Sequence, residues 1–506
     1  MSNTKTIAKN TGWYGLESAF GAVVALISSI MIARTLGPTK NGYIVYVNYI
    51  ATVVSTLGGV GIAATTRKYM AEFLGMGDEG TSRYIYFRTL LIQAALATVA
   101  TAGLAIWVLN EANAEYRLAS LLIVLSIWPA MVNFISSQAN VAMEQLRRNF
   151  PASIVSIFVF FIAIAATVIF HWGVIGVGVA MFLMRAVEFV VRLLPTAKHI
   201  LGWTLNHIQP AGLYQRMTRF AWQSVASMIV AMIVWDRSEV LLLKSLCADI
   251  RQIAFYSVAF SMAERLLLGS TIFGSAAGVT IYAQYGRDKS RLPLIAASTF
   301  RYLALTAIPL HTIATALAVP ALLLLFGHQY AGAAMVCTFA PLLCMPKAFL
   351  NPAQSLLEST ERQSYIIMAT VLAGIIDVGV AWWLIPAHGA VGACIGSGTA
   401  QITAVGLMWA ICIKLYKVKL PWVMVAKISF ISIVAALTAH LVAVRFSPLW
   451  GILLGGSASL AVLFPLLYAM RVLEQNDGER MQIVFKLLPR GIGRQADAFM
   501  SMLIHS

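Results

Sequence analysis

Residues 217–246 read MTRFAWQSVASMIVAMIVWDRSEVLLLKSL, an apolar run interrupted by the charged stretch Trp235-Asp236-Arg237-Ser238-Glu239. The next apolar run, residues 253–285, carries Glu264-Arg265 about a third of the way along it. An ionised side chain deep in a bilayer is costly, so it normally faces a partner or a wet cavity. We therefore predict a membrane protein in which these two helices border a polar cavity, and a carrier that moves something charged.

The composition of the chain is that of a polytopic membrane protein. Of its 506 residues, 59% are hydrophobic and only 11% are charged, whereas soluble domains carry roughly 25% charged residues. The formal net charge is +16. The basic residues lie in short loops between apolar segments, where they are explained as topology signals and contacts with anionic lipids. This distribution argues against nucleic-acid binding.

Fourteen apolar segments reach the length of about 20 residues that a membrane span needs. They are residues 13–34, 43–66, 88–109, 118–142, 152–171, 174–195, 217–246, 253–285, 299–326, 332–353, 364–385, 389–413, 422–444 and 448–470. The first is too long for the apolar core of a signal peptide and is predicted to be an uncleaved span. The connections are short, so no loop is large enough for a soluble domain.

The distribution of Lys and Arg predicts that both termini are cytoplasmic. With the N-terminus inside, the inner segments hold 26 of the 36 Lys and Arg residues and the outer segments hold 6. Inner loops of membrane proteins carry such an excess of positive charge. The bias leaves little room for the opposite orientation.

The two halves of the chain resemble each other weakly. Arg34-Thr35-Leu36 after the first span matches Lys244-Ser245-Leu246 after the seventh, and Gly173 before the sixth matches Gly389 before the twelfth. The intervals are 139 and 145 positions, so both matches agree on one register. Two six-span halves in the same orientation are an arrangement of alternating-access carriers. Chance similarity between apolar segments is the alternative.

These features predict an all-α polytopic membrane protein of about 14 transmembrane helices, in two six-helix lobes (a parallel pseudo-repeat) plus two C-terminal helices. The N-lobe covers residues 1–195 with helices 1–6, and a cytoplasmic linker covers 196–216. The C-lobe covers 217–415 with helices 7–12. Residues 416–506 hold helices 13–14 and a basic tail. That tail alternates basic and apolar residues as an interfacial helix would; a solvated or disordered end is the alternative.

Several short motifs occur together in order along spans one to twelve. They are Ala33-Arg34-Thr35-Leu36-Gly37-Pro38 with Gly42-Tyr43, Asp236, Phe255-Tyr256-Ser257-Val258-Ala259, Leu325-Phe326-Gly327 with Tyr330-Ala331-Gly332-Ala333-Ala334, and Leu384-Ile385-Pro386 with Gly389-Ala390-Val391-Gly392-Ala393. In order and spacing they resemble the polysaccharide transporter family, the Wzx-type flippases. The resemblance implies a two-lobed fold within the multidrug/oligosaccharidyl-lipid/polysaccharide exporter superfamily, related to lipid II flippases and to multidrug and toxin extruders.

The resemblance also implies a substrate, an oligosaccharide repeat unit linked to polyprenyl pyrophosphate. Such a protein turns its substrate from the cytoplasmic to the periplasmic leaflet of the bacterial inner membrane for O-antigen, capsule or exopolysaccharide assembly. A polysaccharide polymerase and a chain-length regulator are expected partners beside anionic lipids. A cation-coupled drug or toxin extruder of the same fold is the alternative.

An enzyme is not expected. A membrane-embedded glycosyltransferase or polymerase generally needs a substantial extramembrane loop with carboxylates for metal or general-base chemistry, and the outer loops here are only a few residues long. The five cysteines are scattered, with no CxxC motif and no Cys/His ligand spacing. We therefore predict no catalytic residue, no metal site and no cofactor.

Basic residues are the candidates for substrate binding, because a diphosphate needs cations and the planar fork of Arg donates two hydrogen bonds at once. The candidates are Arg34, Arg185, Arg237, Arg265 and Lys347. Arg237 and Arg265 have an alternative explanation, which is that they neutralise nearby acids. Arg185 can pair with Glu188 along one helical face or extend to the cytoplasm.

The last two cations differ in their sequence context. Lys347 has no acid on its own span nearer than Glu358, which favours a lone cation lining the cavity. Arg34 ends the first span at the outer face, where it is either a gate residue or an anchor to lipid headgroups.

Acidic residues at membrane depth are candidates for ion coupling. They are Asp236, Glu239, Glu264 and Asp377. A carboxyl group in a low-dielectric site titrates closer to neutrality, which suits coupling to a proton gradient. Alternatively these acids only balance the arginines. The coupling ion, a proton, sodium or none, stays open.

Overall fold

A computed structural model describes residues 2–205, 212–236 and 238–472, with side chains from residue 20 onward, and this part of the chain is nearly all helical. Its α-helices are α1 Ser2–Gly75, α2 Glu79–Leu109, α3 Ala114–Leu125, α4 Ile127–Ala142, α5 Asn149–Ile169, α6 Gly173–Leu201, α7 Leu213–Trp235, α8 Glu239–Leu246, α9 Arg251–Arg287, α10 Leu292–Phe326, α11 Ala334–Cys344, α12 Leu350–Ser359, α13 Gln363–His388, α14 Ala390–Tyr416, α15 Trp422–Ala443 and α16 Pro448–Ala469. The candidate residue Arg237 and the tail after Val472 lie outside the described residues.

Within the described ranges, thirteen helical stretches are long and apolar enough to cross a membrane. The first, Phe20–Gly75, has 56 residues, about 84 Å of helix, whereas the hydrocarbon core is about 30 Å thick. Its backbone leaves the helical region at Gly37 (φ 70°, ψ 174°), followed by Pro38. Since the break divides α1 into two crossings, the prediction of an all-α protein with about fourteen spans is confirmed.

The seventh predicted span is interrupted where the charged stretch lies. Helix α7 ends at Trp235, Asp236 adopts an extended conformation (φ −112°, ψ −170°), and α8 begins at Glu239. The sequence predicts one continuous segment over 217–246, and the structure shows two helices joined by a break. A helix end there supplies backbone groups that can be satisfied in a wet or protein-lined site.

By packing, the chain divides into two compact units, Met1–Ala254 and Phe255–Ser506. In the first unit, α1 contacts α2, α4, α5 and α7, and α6 contacts α3, α4 and α5. Its buried core includes Ile44, Ile123 and Met131, with a second cluster around Tyr86 and Ile135. The central position of α1 follows from its length and from the apolar residues on several of its faces.

Helix α7 packs within the first unit, although the sequence repeat places it in the C-lobe. A Cβ on Gly61 of α1 would lie 2.9 Å from the carbonyl oxygen of Ala221. Between the last turn of α1 and the first turn of α7, Arg216 Nη2 lies 3.0 Å from Glu72 Oε1. The packing boundary therefore falls after α8, later in the chain than the predicted linker.

The second unit contains α10–α16 and all but the first turn of α9. Helix α13 packs along α14, and α14 packs on α11. Helices α15 and α16 form a pair that contacts α10. The two helices of the pair are close to each other, because a Cβ on Gly455 of α16 would lie 2.8 Å from the carbonyl oxygen of Ala439 of α15. The two C-terminal helices therefore extend the second unit.

Candidate functional site

A strip of polar side chains runs along α9 and the helical segment that packs beside it in the second unit. We call this strip the polar seam. It consists of Glu264, Arg265, Thr271, Ser275 and Tyr282 of α9, with Lys347, Asn351, Gln354 and Glu358 of the segment 345–359. Glu264 and Tyr282 are 18 residues apart on one helix, about 27 Å at 1.5 Å per residue. The seam therefore covers most of the depth of a bilayer.

Hydrogen bonds and an ion pair hold the two sides of the seam together. At one end Lys347 Nζ lies 3.7 Å from Glu264 Oε1. In the middle, Asn351 Nδ2 donates to the carbonyl oxygen of Thr271 at 3.3 Å. The far end is closed by Tyr282, whose hydroxyl donates to Glu358. One end of the seam is therefore ionic and the remainder is mostly neutral and hydrogen-bonding.

A glycine motif on α9 allows this close approach. A Cβ on Gly278 would lie 2.5 Å from Ser355 Oγ, and one on Gly274 would lie 2.9 Å from Asn351 Cβ. Glycines four residues apart occupy one helix face, and in membranes they let two helix backbones pack closely. The spacing Gly274-x-x-x-Gly278 is visible in the sequence, and it is the signal that could have located the seam in advance.

The seam lies on the surface of the second unit. Arg265, Thr271 and Ser275 are exposed, and the side chains of Glu264 and Lys347 retain 36% and 24% exposure. Charged and hydrogen-bonding groups at membrane depth are strongly disfavoured against hydrocarbon. The physical argument therefore assigns water or a polar ligand to this surface. Asn351 and Gln354 were not predicted as site residues because, being uncharged, they do not stand out in an apolar span.

The predicted cations fall in different surroundings. Lys347 is not a lone cation, because Glu264 of α9 is its partner. Arg265 is exposed next to that pair in sequence. Arg185 Nη1 lies 3.5 Å from Glu188 Oε2, the pairing that the three-residue spacing allows. Arg34 is exposed in the last turn before the Gly37 break.

Arg192, near the end of the predicted span 174–195, is a further charged residue that was not among the predicted site residues. Its side chain is only 6% exposed, and Nη1 lies 2.9 Å from Glu188 Oε1. Its Nη2 also donates to Ser153 Oγ at 3.1 Å, which ties α6 to α5. Glu188 therefore lies between two arginines, and the buried one is the closer partner. The four-residue spacing of Glu188 and Arg192 is the sequence signal for this pair.

The predicted acids are divided between the two units. Asp236 follows the end of α7 and is partly buried, and Glu239 begins α8 and is fully buried. In the second unit, Glu264 pairs with Lys347, and Asp377 of α13 is 1% exposed. The described residues thus include a contact between a predicted acid, Glu264, and a predicted cation, Lys347.

Carboxylates also stand at both ends of α9. The Arg251 guanidinium, 3.0 Å from Asp249, holds the pKa of that carboxyl below its ordinary value. Hydrogen bonds from Ser290 likewise lower the pKa of Asp288. Both groups are therefore ionised at neutral pH. Among the residues that the structure describes, no cluster of three or more His, Cys, Asp or Glu side chains could hold a metal ion.

In the described residues, two helical units, fourteen spans and a polar strip at membrane depth define the class of the protein as an all-α, multi-pass membrane protein. Its structural neighbours belong to that class. The lipid II flippase MurJ in an inward closed conformation superposes with a TM-score of 0.72, at 12% identity over 90% of this chain and 98% of that chain.

Transporters of the MATE family are also similar in structure. An inward-facing multidrug resistance MATE transporter of the MOP superfamily gives a TM-score of 0.64, at 13% identity over 78% of this chain and 95% of that one. An outward-facing one gives 0.58, at 14% identity over 82% and 96%. No protein-family model matches the chain, and no curated protein matches it significantly. At these identities the likeness shows the fold alone.

Proposed function

We propose that this protein is a flippase that moves a polyprenyl-pyrophosphate-linked oligosaccharide repeat unit from the cytoplasmic to the periplasmic leaflet by alternating access. The polar seam is the observation that carries the proposal. Amide, hydroxyl and phenol groups spread over about 27 Å suit a ligand with many hydroxyls. The ionic end, with Arg265 and Lys347, suits a diphosphate, since hydrogen bonds between cations and phosphate are the strong ones.

The fold supports this proposal, because one neighbour is described as a lipid II flippase. The alternative, a cation-coupled extruder of drugs or toxins, is supported by the MATE neighbours. Substrates of an extruder are usually cationic, so its site should be net acidic. The seam contains two basic residues, Arg265 and Lys347, and two acidic ones, Glu264 and Glu358. The hydroxyl and amide groups of the seam therefore favour the oligosaccharide of a flippase over the cationic substrate of an extruder.

We further propose that transport is coupled to a cation through a buried carboxyl group, and Glu239 of α8 and Asp377 of α13 are the two most buried of the four candidates. For Asp377, at 1% exposure in a membrane span, an ionised carboxylate is expensive unless a proton or another cation accompanies it. Asp236 and Glu264 stay candidates for the same role. Replacing Asp377 with Asn should leave substrate binding intact and remove the dependence of transport on the ion gradient.

The proposal is tested in cells whose surface polysaccharide depends on this protein. We expect Lys347→Gln and Arg265→Gln each to lower export about tenfold or more, because a hydrogen bond from a charged group contributes roughly 1.5–3 kcal/mol. Lys414→Gln is the matched control, since it removes an exposed charge from α14 in the same unit but outside the seam. The lipid-linked repeat unit should accumulate on the cytoplasmic side.

Two results would contradict the proposal that the protein is a flippase. Undiminished export in both seam variants at normal protein levels would remove the seam from the substrate path. Loss of resistance to cationic dyes on deletion, with normal surface polysaccharide, would favour the extruder. Arg237→Ala belongs in the same series, because Arg237 is a predicted contact outside the described residues.

The remaining parts of the proposal concern location and partners. We propose the bacterial inner membrane with both termini in the cytoplasm, and contacts with a polysaccharide polymerase and a chain-length regulator. Reporter fusions at residue 506 test the topology, because a cytoplasmic end keeps a fluorescent protein bright and a secreted phosphatase inactive. Crosslinking in cells tests the partners.

A further inference from the structure

A basic cavity lies in the second unit, apart from the polar seam, between α10, the start of α15 and the end of α16. Its volume is about 480 Å³, many times the roughly 30 Å³ of a water molecule in the liquid. The lining consists of Arg301, Leu420, Pro421, Trp422, Val423, Met424, Lys427, Arg471 and Val472. It therefore combines three cations with an apolar wall.

The cations come from three different parts of the unit. Lys427 of α15 donates from Nζ to the carbonyl oxygen of Met470 at 3.0 Å. Arg301 of α10 donates from Nη2 to the carbonyl oxygen of Val472 at 3.3 Å. Arg471, exposed and just past the end of α16, is the third. Two side chains from separate helices thus hold the turn that carries the last cation beside them.

Helix α16 does not neutralise this charge. Its C-terminus carries the equivalent of about −0.5 elementary charge, against three full positive charges, and none of the described residues that line the cavity is acidic. A lysine ammonium has three donors, of which the Met470 carbonyl takes one for Lys427. The cavity therefore keeps a net positive potential and donors suited to an anion.

The apolar part of the lining indicates where the anion comes from. Trp422 is 61% exposed, and its ring lies edge-on to Phe300 of α10 at 6.4 Å between centroids. Tryptophan side chains with one wet end mark the membrane–water boundary. All three cations belong to segments whose charge predicts the cytoplasmic side. A ligand here would have its charged end among the cations and its apolar part along Trp422 and Val423.

We propose that this cavity binds the phosphate headgroup of an anionic membrane lipid, at the cytoplasmic end of α10, α15 and α16. Basic pockets between transmembrane helices bind such headgroups through charge and hydrogen bonds. A free phosphate anion has the same head chemistry but no chains to place on the apolar wall. The binding would fix the C-terminal helix pair to the lipid, whatever substrate the seam carries.

The experiment uses the full-length protein, purified in detergent and stripped of lipid. Native mass spectrometry measures its affinity for phosphatidylglycerol, with phosphatidylcholine as the neutral comparison and inorganic phosphate as competitor. We expect Arg471→Gln and Lys427→Gln each to weaken phosphatidylglycerol binding about fivefold, since a basic residue near a charged headgroup contributes about that factor. Lys414→Gln should change nothing, and Lys427→Arg should retain binding.

Several outcomes would overturn the proposal. Equal affinity for the two lipids, or unchanged affinity in Arg471→Gln, would show that the cavity does not select a charged headgroup. Displacement of the lipid by millimolar inorganic phosphate would assign the site to a soluble anion. Glu474 follows Arg471 by three positions in the sequence, so its carboxylate is a candidate competitor for the cations. If the wild-type protein did not bind phosphatidylglycerol and the Glu474→Gln variant did, the chain's own tail would be the occupant of the cavity. Arg471 is exposed, so its variant tests binding even where Lys427→Gln lowers stability.

Discussion

The buried pair of Arg192 and Glu188 makes the sharpest prediction about stability. At 2.9 Å and an effective dielectric constant of about 20, the attraction is about 6 kcal/mol before desolvation is subtracted. Replacing Arg192 with Met removes this attraction and leaves the carboxylate of Glu188, 15% exposed, with the exposed Arg185 as its ion-pair partner. Breaking one side of a buried ion pair costs about 3–5 kcal/mol.

The neighbouring Arg185 places the expected loss of stability at the lower end of that range. Arg185 is 3.5 Å from the other oxygen of Glu188 and 43% exposed, so it can move to compensate part of the loss. We therefore expect Arg192→Met to lower the free energy of unfolding by about 3 kcal/mol. With an unfolding entropy of about 2.1 cal/mol/K per residue over the unit Met1–Ala254, this is a decrease in Tm of about 6 °C. The double variant Glu188→Met/Arg192→Met should recover most of it, since replacing both partners leaves no buried charge.

The assay is thermal unfolding of the purified protein in one detergent and lipid mixture, with Lys198→Met as the control. Lys198 is exposed on the same helix, α6, and its replacement should shift the Tm little. A Tm of Arg192→Met equal to wild type would refute the argument, as would a double variant less stable than the single one. The second result would mean that packing, not charge, decides the effect.

Two glycine substitutions test the close helix contacts. Gly278→Val should push α9 away from Ser355 and cost about 1–3 kcal/mol by overpacking, with a loss of export if the seam is the substrate path. Gly269→Val on the same helix is the control and should not destabilise the protein, because a Cβ there would meet nothing within 4 Å and Val is a better helix former than Gly. Gly42→Ala should destabilise the first unit by a similar amount, because its Cβ would lie 2.4 Å from the carbonyl oxygen of Ile250 and backbone cannot rotate away as a side chain can. Melting curves measure both effects, and wild-type stability in Gly278→Val or Gly42→Ala would show that the helices are not so close.

Particular elements show how far the sequence predicts this fold. The first two spans were placed on either side of Gly37-Pro38, and the structure breaks α1 at that point. The seventh span was predicted as continuous, although Asp236 and Glu239 mark the place where α7 ends and α8 begins. Hydropathy is averaged over a window and detects a crossing, but it does not register a short break within one.

The candidate site shows the same division. Glu264 and Lys347 were both singled out as charges at membrane depth, yet their pairing was not foreseen, because they are 83 positions apart in the chain. Arg192 was not selected as a candidate, because its position near the end of the predicted span 174–195 gives no measure of burial. The uncharged members of the seam carry no signal in composition.

The sequence by itself determined that the chain is helical, how many times it crosses the membrane and which spans carry charge. These properties depend on the transfer of short segments into hydrocarbon, and that free energy is a local sum over about 20 residues. Only the tertiary structure decided which charges become partners, that α7 packs on α1, and that glycines bring α9 against α12 to form a polar strip. Those outcomes depend on distances between residues remote in the chain, which no local property of the sequence contains.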